Sequence, residues 1–286
     1  MKIAIATHYE VPEICDLDIQ KDDLLAEYLR SKGYEVDGKV WNSNTCWEEY
    51  CAVIVRTTWD YFVQPKEFKE WLTKLNSLNI KLFNPYQILL WNMEKTYLDD
   101  LIRNGIPIVP TIFFRNLKDA TEEALLKTGW KKMIFKPILG GSSHNVEKFD
   151  LEEGVERGLK ICEKILQSCS MMIQPFVENL QDQGETSLIY FDKVYSHSVR
   201  KTPLEDFRLF DMTNIKIERI TPPDEFRLLG DRIVNWVRGD LPYARIDLVV
   251  YEGKAVVMEL ELLEPTLFLD KSSAAKFGEA VLKQLQ

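Results

Sequence analysis

The segment from Arg245 to Glu264 constrains the fold of this chain more than any other part of the sequence. It reads RIDLVVYEGKAVVMELELLE, two apolar runs separated by a Glu-Gly turn, which is typical of a β-hairpin. Asp247, Glu259 and Glu261 interrupt runs that otherwise indicate buried strands. A buried carboxylate is costly unless something compensates its charge, and three of one sign cannot compensate one another.

A divalent cation would compensate these three carboxylates. Side chains on a strand alternate between faces, so Glu259 and Glu261 point the same way, and the hairpin can bring Asp247 beside them. Three oxygen donors with no Cys or His nearby suit Mg²⁺ or Mn²⁺ rather than zinc. Because Mg²⁺ with few protein ligands usually also holds nucleotide phosphates, the hairpin indicates ATP. The alternative is an exposed edge hairpin whose acidic face is simply solvated.

Composition restricts the class of protein. A chain of 286 residues, 45% hydrophobic and 28% charged, is long enough for two domains or one large α/β unit with a packed core. The net charge of -9 argues against nucleic acid or an anionic membrane surface as the main partner and favours a small-molecule substrate. The cysteines form no CxxC pair and no apolar run approaches a membrane span, so we expect reduced thiols and a cytoplasmic location.

The N-terminal third alternates strand-like and helix-like segments. KIAIA, YEVDGKVW and CAVIVRTTWDY read as strands, and the apolar spacing from Asp22 to Ser31 predicts a helix between the first two. This rhythm predicts a parallel sheet with crossover helices, although no GxGxxG follows the first strand. We place boundaries near Pro85 and Pro110. From Lys131 onward the pattern predicts antiparallel strands, so an α/β part is joined to α+β modules.

Two lysines in the middle of the chain are candidates for binding phosphate. Lys136 lies in the apolar strand MIFKP directly before ILGGSSHN, where two glycines and two hydroxyl residues let backbone N–H groups approach phosphates. The alternative is a Gly-Gly hairpin turn with a snorkelling lysine. Lys95, in WNMEKTYL, precedes a predicted helix, where Glu94 or Asp99 could instead pair with it on the surface.

Two arginines could clamp a carboxylate or a transferring phosphoryl group. Arg200 ends YSHSVRK, and Arg208 follows in DFR after a polar loop. The alternative is a surface ion pair with Glu205 or Asp206. No pair of histidines has the helical spacing of a zinc site, and no GxSxG nucleophile elbow is present.

In chain order, these motifs resemble the ATP-grasp superfamily. The nearest resemblance is to the glutathione synthetase and RimK-like branch, close to the cycloserine-biosynthesis type, through RTTWDY, WNMEKTYL, MIQPFV, GETSLIYF, SHSVRK, YARIDLV and MELELLEPTLFL. The resemblance implies a Rossmann-like pre-ATP-grasp domain over residues 1–90 and an ATP-grasp domain over 91–286. Within the latter it implies a small α+β nucleotide-clamping subdomain at about 111–176 and a C-terminal α+β subdomain with an antiparallel sheet at about 177–286.

The resemblance also implies an activity. Members of the family use ATP and Mg²⁺ to join a carboxylate to an amine through an acylphosphate, releasing ADP and phosphate. An inactive ATP-binding sensor or scaffold and a small-molecule kinase remain the alternative interpretations. Because related enzymes are often dimers, the resemblance implies a homodimer.

Site residues carried over by motif fall into four groups. The residues that would bind ATP are Lys95, Lys136, Gly140, Gly141, Ser142, Ser143, Gln174, Phe176, Val177 and Glu185, the last facing the ribose. Those that would hold the magnesium ions are Asp247, Glu259 and Glu261. The catalytic pair would be Lys136 and Arg200. The arginines that would face substrate are Arg56, Arg200, Arg208 and Arg245.

Arg56 and Glu261 each have a second interpretation. Arg56 ends a predicted parallel strand, where open α/β sheets favour ligands, but pairing with an acidic residue in the core is the alternative. The wider superfamily usually has ExN where this chain has Glu259-Leu-Glu261, so Glu261 adds a negative charge and leaves the number of metals open.

Overall fold

The computed structural model describes residues 1–8, 21–141, 145–205, 207 and 214–285. Within these ranges the chain forms three β-sheets with helices packed against them. Searched over the same ranges, no helix combines the length and the apolar character needed to cross a membrane.

The first sheet is parallel, as the sequence predicts. Its elements are β1 (Lys2–Thr7), α1 (Asp22–Ser31), β2 (Glu35–Val40), β3 (Ala52–Thr57), α2 (Pro65–Ser77) and β4 (Lys81–Phe83). The strands lie in the order β2-β1-β3-β4, and every pairing is parallel. β3 is buried along its whole length, which agrees with the apolar residues from Ala52 to Val55 and also includes Arg56 and Thr57.

A small antiparallel sheet follows. Its elements are α3 (Tyr86–Asn92), α4 (Tyr97–Arg103), β5 (Ile112–Phe114), α5 (Glu122–Leu126), β6 (Lys132–Pro137), β7 (Glu147–Asp150), α6 (Val155–Leu166) and β8 (Met171–Pro175). The strand order is β5-β8-β6-β7. One face packs on α6, with Phe135 and Phe149 against Cys162. Because strand side chains alternate, Lys136 and Gln174 share the opposite face.

The large sheet is antiparallel. Its elements are α7 (Leu180–Gln183), β9 (Glu185–Phe191), β10 (Val194–Pro203), β11 (Ile215–Ile220), α8 (Asp224–Trp236), β12 (Tyr243–Tyr251), β13 (Lys254–Glu261) and α9 (Lys271–Lys283). The strands lie in the order β11-β10-β9-β12-β13. The hairpin that opened the sequence analysis is confirmed: Arg245 lies opposite Glu261, and Asp247 opposite Glu259.

The first sheet and the end of the chain share a core. Leu25 and Leu29 of α1 pack in one cluster with Phe277 and Val281 of α9. The Tyr243 hydroxyl, at the start of β12, lies 2.8–3.0 Å from carbonyl oxygens of β3, of β4 and of the segment after β13. These contacts hold the end of β13 against the first sheet.

We predict that Gly230→Ala destabilises the protein. An added Cβ on this α8 residue would lie 2.6 Å from Leu188 Cδ1 and even closer to the Tyr190 hydroxyl, and both side chains are buried. Overpacking of this kind costs about 1–3 kcal/mol, more than the helix propensity gained by removing a glycine. Denaturant unfolding should show the loss, whereas Leu228→Ala, at a side chain 70% exposed on the same helix, should change little. Equal stability of the Gly230 variant and wild type would contradict the prediction.

Candidate active site

One face of the large sheet carries a line of charged side chains, which we call the charged row. Cross-strand partners share a face, and the register pairs Lys201 with Glu185, Ser187 with Asp247, and Asp247 with Glu259. The residues of the charged row are Glu185, Lys201, Arg245, Asp247, Glu259 and Glu261.

Lys201 connects the carboxylates of two neighbouring strands. Its Nζ contacts Glu185 and lies 3.5 Å from Asp247 Oδ2, and all three side chains are buried. Burial lowers the pKa of Lys201, but Asp247 and Glu185 raise it more, so the lysine stays charged. Burial also raises the pKa of Glu185 to about 7 despite the attraction of Lys201.

Asp247 is the most completely bonded member of the row. Arg245 Nε lies 3.1 Å from each of its oxygens and Arg245 Nη2 lies 3.0 Å from Oδ2, while Ser187 Oγ donates to Oδ1 at 2.5 Å. Burial acts to raise the pKa of Asp247, but Arg245 and Lys201 together lower it. Asp247 is therefore an ionised carboxylate whose oxygens are held by the protein itself.

Two lysines from other parts of the chain converge on Glu259. Lys95 Nζ, between α3 and α4, lies 3.7 Å from Glu259 Oε1, and Lys136 Nζ of β6 lies 3.4 Å from the same oxygen. Lys95 also donates to the Gly140 carbonyl oxygen at 3.0 Å. Burial lowers the pKa of both lysines; the neighbouring glutamates more than offset this for Lys95, whereas Lys136 keeps a lowered pKa. The predicted phosphate lysines and the glycine turn therefore meet at the acidic hairpin.

The assignment of Mg²⁺ to Asp247, Glu259 and Glu261 stays a prediction, although Asp247 and Glu259 lie opposite each other on adjacent strands. Across the described ranges, no group of three His, Cys, Asp or Glu side chains is placed to hold a metal, and the Asp247 oxygens are taken up as above. Burial raises the pKa of Glu261, whose hydrogen bond to Glu259 helps to lower the pKa of Glu259. Glu259 and Glu261 alone would suffice for Mg²⁺, which usually takes one or two carboxylates plus phosphate oxygens and water.

The predicted adenine hinge lies at the end of β8. Gln174 is buried and its Nε2 donates to Thr111 Oγ1 at 2.9 Å, and Val177 is also buried. The Phe176 ring faces the Lys148 ammonium, whose nitrogen lies 3.6 Å from the ring centroid. Nucleotide contacts of these residues stay a prediction. Ser142, Ser143 and Arg208 lie outside the described residues.

The structure places Arg56 in the core. Its side chain is 0% exposed, its Nε donates to Asp22 Oδ1 at 2.8 Å, and its Nη1 donates to the Pro265 carbonyl oxygen at 2.7 Å. This geometry matches the alternative interpretation, an ion pair within the core, rather than an arginine that faces substrate.

Lys201, which the sequence analysis missed, occupies the position that we expected Arg200 to occupy. Arg200 pairs across the sheet with Thr186 and so lies on the opposite face from Lys201. Within the described part of the chain, no ion pair or hydrogen bond joins the Arg200 side chain to the charged row. Strand alternation could have identified Lys201 from the sequence. Val199, two residues before Lys201, is buried in the core, and residues two apart on a strand share a face.

Glu264 is the second residue that the sequence analysis missed. It follows β13 and is 8% exposed, and its carbonyl oxygen accepts a hydrogen bond from Trp59 Nε1 at 3.2 Å. Burial and the charge of Glu261 raise its pKa well above the usual value for a glutamate. The sequence does show Glu264 as a third carboxylate in ELELLEP. Strand alternation alone, however, does not predict the direction in which its side chain points.

Comparison with solved structures defines the fold. D-alanine–D-alanine ligase from Bacillus anthracis, complexed with ATP, matches with a TM-score of 0.70 at 17% identity and covers 99% of this chain and 96% of its own. A RimK domain ATP-grasp protein from Sphaerobacter thermophilus DSM 20745 matches with a TM-score of 0.71 at 13% identity, covering 98% and 99%. The chain has the ATP-grasp fold.

The comparisons also identify a particular homologue. Residues 3–84 match the family model for the N-terminal domain of D-cycloserine synthetase DcsG. The cycloserine biosynthesis protein DcsG of Streptomyces lavendulae is 26% identical, with 92% of this chain and 93% of that protein covered. The crystal structure of D-cycloserine synthetase DcsG matches with a TM-score of 0.86 at 24% identity over 100% of both chains. The resemblance to ATP-grasp proteins of the cycloserine-biosynthesis type is confirmed.

Proposed function

We propose that this chain is an ATP- and Mg²⁺-dependent carboxylate–amine ligase that works through an acylphosphate and releases ADP and phosphate. The observation that carries the proposal is the convergence of Lys95 and Lys136 on Glu259. The buried Lys136 and the partly buried Lys95 can balance the charge of phosphate groups, and the neighbouring Glu259 and Glu261 can balance the charge of a metal ion.

The residues would share the work of phosphoryl transfer, which needs mainly positioning and charge neutralisation. Lys95 and Lys136 would exchange Glu259 for phosphate oxygens of ATP. Glu259 and Glu261 would hold Mg²⁺, which when bound neutralises charge between the phosphates. Arg245 is fixed by Asp247 and lies 3.9 Å from Glu261, where it would face the substrate carboxylate.

The bonds would change in two steps. An oxygen of the substrate carboxylate would attack the terminal phosphorus, so that a C–O–P linkage forms and the bond to ADP breaks. The amine nitrogen would then attack the carbonyl carbon, lose a proton, and expel phosphate as the C–N bond forms. A closed, dry site would favour the amine over water in the second step.

An assay with pooled substrates tests this proposal. With ATP, Mg²⁺ and pooled amino and hydroxy acids, we expect ADP release, and hydroxylamine should trap the acylphosphate as a hydroxamate. A stable phosphorylated product formed without consumption of amine would instead indicate a kinase. Nucleotide binding without ADP release would indicate a sensor or scaffold. If the protein neither releases ADP nor binds ATP in calorimetry, that result would contradict all three functions.

A further inference from the structure

The outer edge of β13 is completed by side chains as well as by a short stretch of backbone. In the described part of the chain β13 is the last strand of the large sheet, and an isolated bridge joins its outer edge at Val257 to Ile108. Further along the strand, the backbone N–H and C=O groups of Leu260 both bond to side chains. Because a buried backbone group without a partner is costly, these side chains complete the edge where Glu259 and Glu261 lie.

Asn92, in the last turn of α3, takes the place of a peptide group at this edge. Its Nδ2 donates to the Leu260 carbonyl oxygen at 2.8 Å, and its Oδ1 accepts from the Leu262 N–H at 2.7 Å. A residue of a neighbouring parallel strand makes the same two bonds, to the oxygen of one residue and to the nitrogen of the next residue but one. Asn92 is buried and therefore fixes the backbone on both sides of Glu261.

Tyr97, at the start of α4, holds the same stretch of β13. Its hydroxyl oxygen accepts a hydrogen bond from the Leu260 N–H at 3.1 Å, and its ring packs in the hydrophobic cluster that contains the Leu260 side chain. Strand side chains alternate, so Leu260 points into this cluster while Glu259 and Glu261 on either side point to the opposite face. Side chains that hold the Leu260 backbone therefore set the position of both carboxylates.

The segment that supplies these bonds also carries one of the predicted phosphate lysines. Lys95 lies between the two bracing residues, and its Nζ is 3.7 Å from Glu259 Oε1. Its backbone N–H donates to the carbonyl oxygen of Ile138 at 2.8 Å. Ile138 directly follows β6, the strand of Lys136. One short segment thus joins the acidic strand to both lysines.

We propose that Asn92 and Tyr97 are positioning residues, which hold Glu259 and Glu261 at the separation that a divalent cation and Lys95 require. The inference rests on the proposed function and adds two residues to the same site. Each side chain acts through the backbone of β13, without contact with substrate or metal. Loss of groups that orient metal ligands typically costs about 10-fold to 100-fold in metal affinity or activity.

Binding of Mn²⁺ tests the inference without turnover. A titration in the presence of a non-hydrolysable ATP analogue, followed by electron paramagnetic resonance, measures the Kd for Mn²⁺. Asn92→Leu, which removes both bonds, should raise this Kd about tenfold or more, and Tyr97→Phe, which removes only the hydroxyl, should raise it by a smaller factor. Tyr190→Phe is the matched control, because it removes a hydroxyl that bonds Asp231 at 2.9 Å from the same hydrophobic cluster. Its Kd should stay within about twofold of wild type.

Amide hydrogen exchange measures the state of the strand edge itself. The Leu260 N–H loses its acceptor in Tyr97→Phe and the Leu262 N–H loses its acceptor in Asn92→Leu, so each should exchange faster than in wild type. Tyr190→Phe should leave both amides protected. Unchanged exchange in the first two variants, or an equal loss of Mn²⁺ affinity in the two tyrosine variants, would overturn the inference.

The two proposals fail in different ways. A wild-type protein that binds Mn²⁺ but releases no ADP under any condition would remove the ligase and leave the positioning role. Mn²⁺ binding that is as tight in Asn92→Leu and Tyr97→Phe as in wild type, together with ADP release by wild type, would leave the ligase and remove the positioning role. A wild-type protein that binds no Mn²⁺ would remove the metal site and this inference with it.

Discussion

Replacing Arg56 with methionine should lower the free energy of unfolding by about 3–5 kcal/mol, the usual effect of breaking a buried ion pair from one side. Asp22 would remain 3% exposed without its guanidinium partner, and the Pro265 carbonyl would lose its donor. Urea unfolding at pH 7 measures the loss. The loss should shrink toward acidic pH, because a protonated Asp22 needs no opposite charge, and burial already raises the pKa of this carboxyl.

Two controls separate a core ion pair from a substrate contact. Adding Asp22→Asn to the Arg56 variant should recover part of the lost stability, because the orphaned charge is then gone. Arg103→Met removes an arginine that is 71% exposed and, within the described residues, pairs with acidic residues one turn away, so its effect should be within about 1 kcal/mol. Unchanged stability of Arg56→Met, together with a raised KM for substrate, would restore Arg56 to the substrate-binding group.

Glu259→Gln should reduce kcat about 100-fold to 1000-fold, the effect of removing one group from a preorganised charged site. The substitution removes a proposed metal ligand and the only carboxylate within 4 Å of both Lys95 and Lys136 in the described structure. ATP binding measured by calorimetry should survive better than turnover, because the lysines remain. Unchanged turnover would contradict the assignment of Glu259.

The pH profile of the residual activity should change as well. Burial and the nearby Lys95 lower the pKa of Lys136, while Glu259 raises it. Loss of Glu259 therefore lowers this pKa further, and a catalytic step that needs the charged lysine should fail at a lower pH than in wild type. Glu261→Asn is the matched control, because it keeps an oxygen toward the cation and restores the ExN pattern common in the superfamily. Its kcat should stay within about tenfold of wild type.

The parts of the fold that follow from local pattern were predictable. Alternation of strand-like and helix-like segments predicted the parallel sheet, and the Glu-Gly turn predicted the Arg245–Glu264 hairpin that the structure confirms. The pairing of Asp247 with Glu259 also depends on a register shift between Asp247 and Leu248, which the turn does not specify. The ordered motifs pointed to Lys95 and Lys136, which meet at one carboxylate oxygen although they come from different elements. Sequence patterns therefore predicted a residue's position where that position depends on one pair of neighbouring strands or on the order of motifs along the chain.

Other contacts depend on distant elements that no local pattern specifies. The partner of Arg56 is on α1 and its second acceptor follows β13, so its burial is decided by how three elements meet. The choice between Arg200 and Lys201 depends on the register of β10 against β9, where a shift between Tyr195 and His197 precedes the site. Glu264 lies beyond the end of β13, where alternation no longer sets the direction of a side chain.

The packing of α9 on α1 has a consequence for how the protein is made. The first sheet is synthesised early, yet Leu25 and Leu29 are covered by Phe277 and Val281 of α9, which is synthesised only after all the strands of the three sheets. Arg56 must likewise wait for the Pro265 carbonyl. Until α9 is made, a nascent chain therefore carries an open apolar face, a state in which exposed surface favours aggregation. A chain cut short before α9 loses the cover of the first sheet as well as the helix itself.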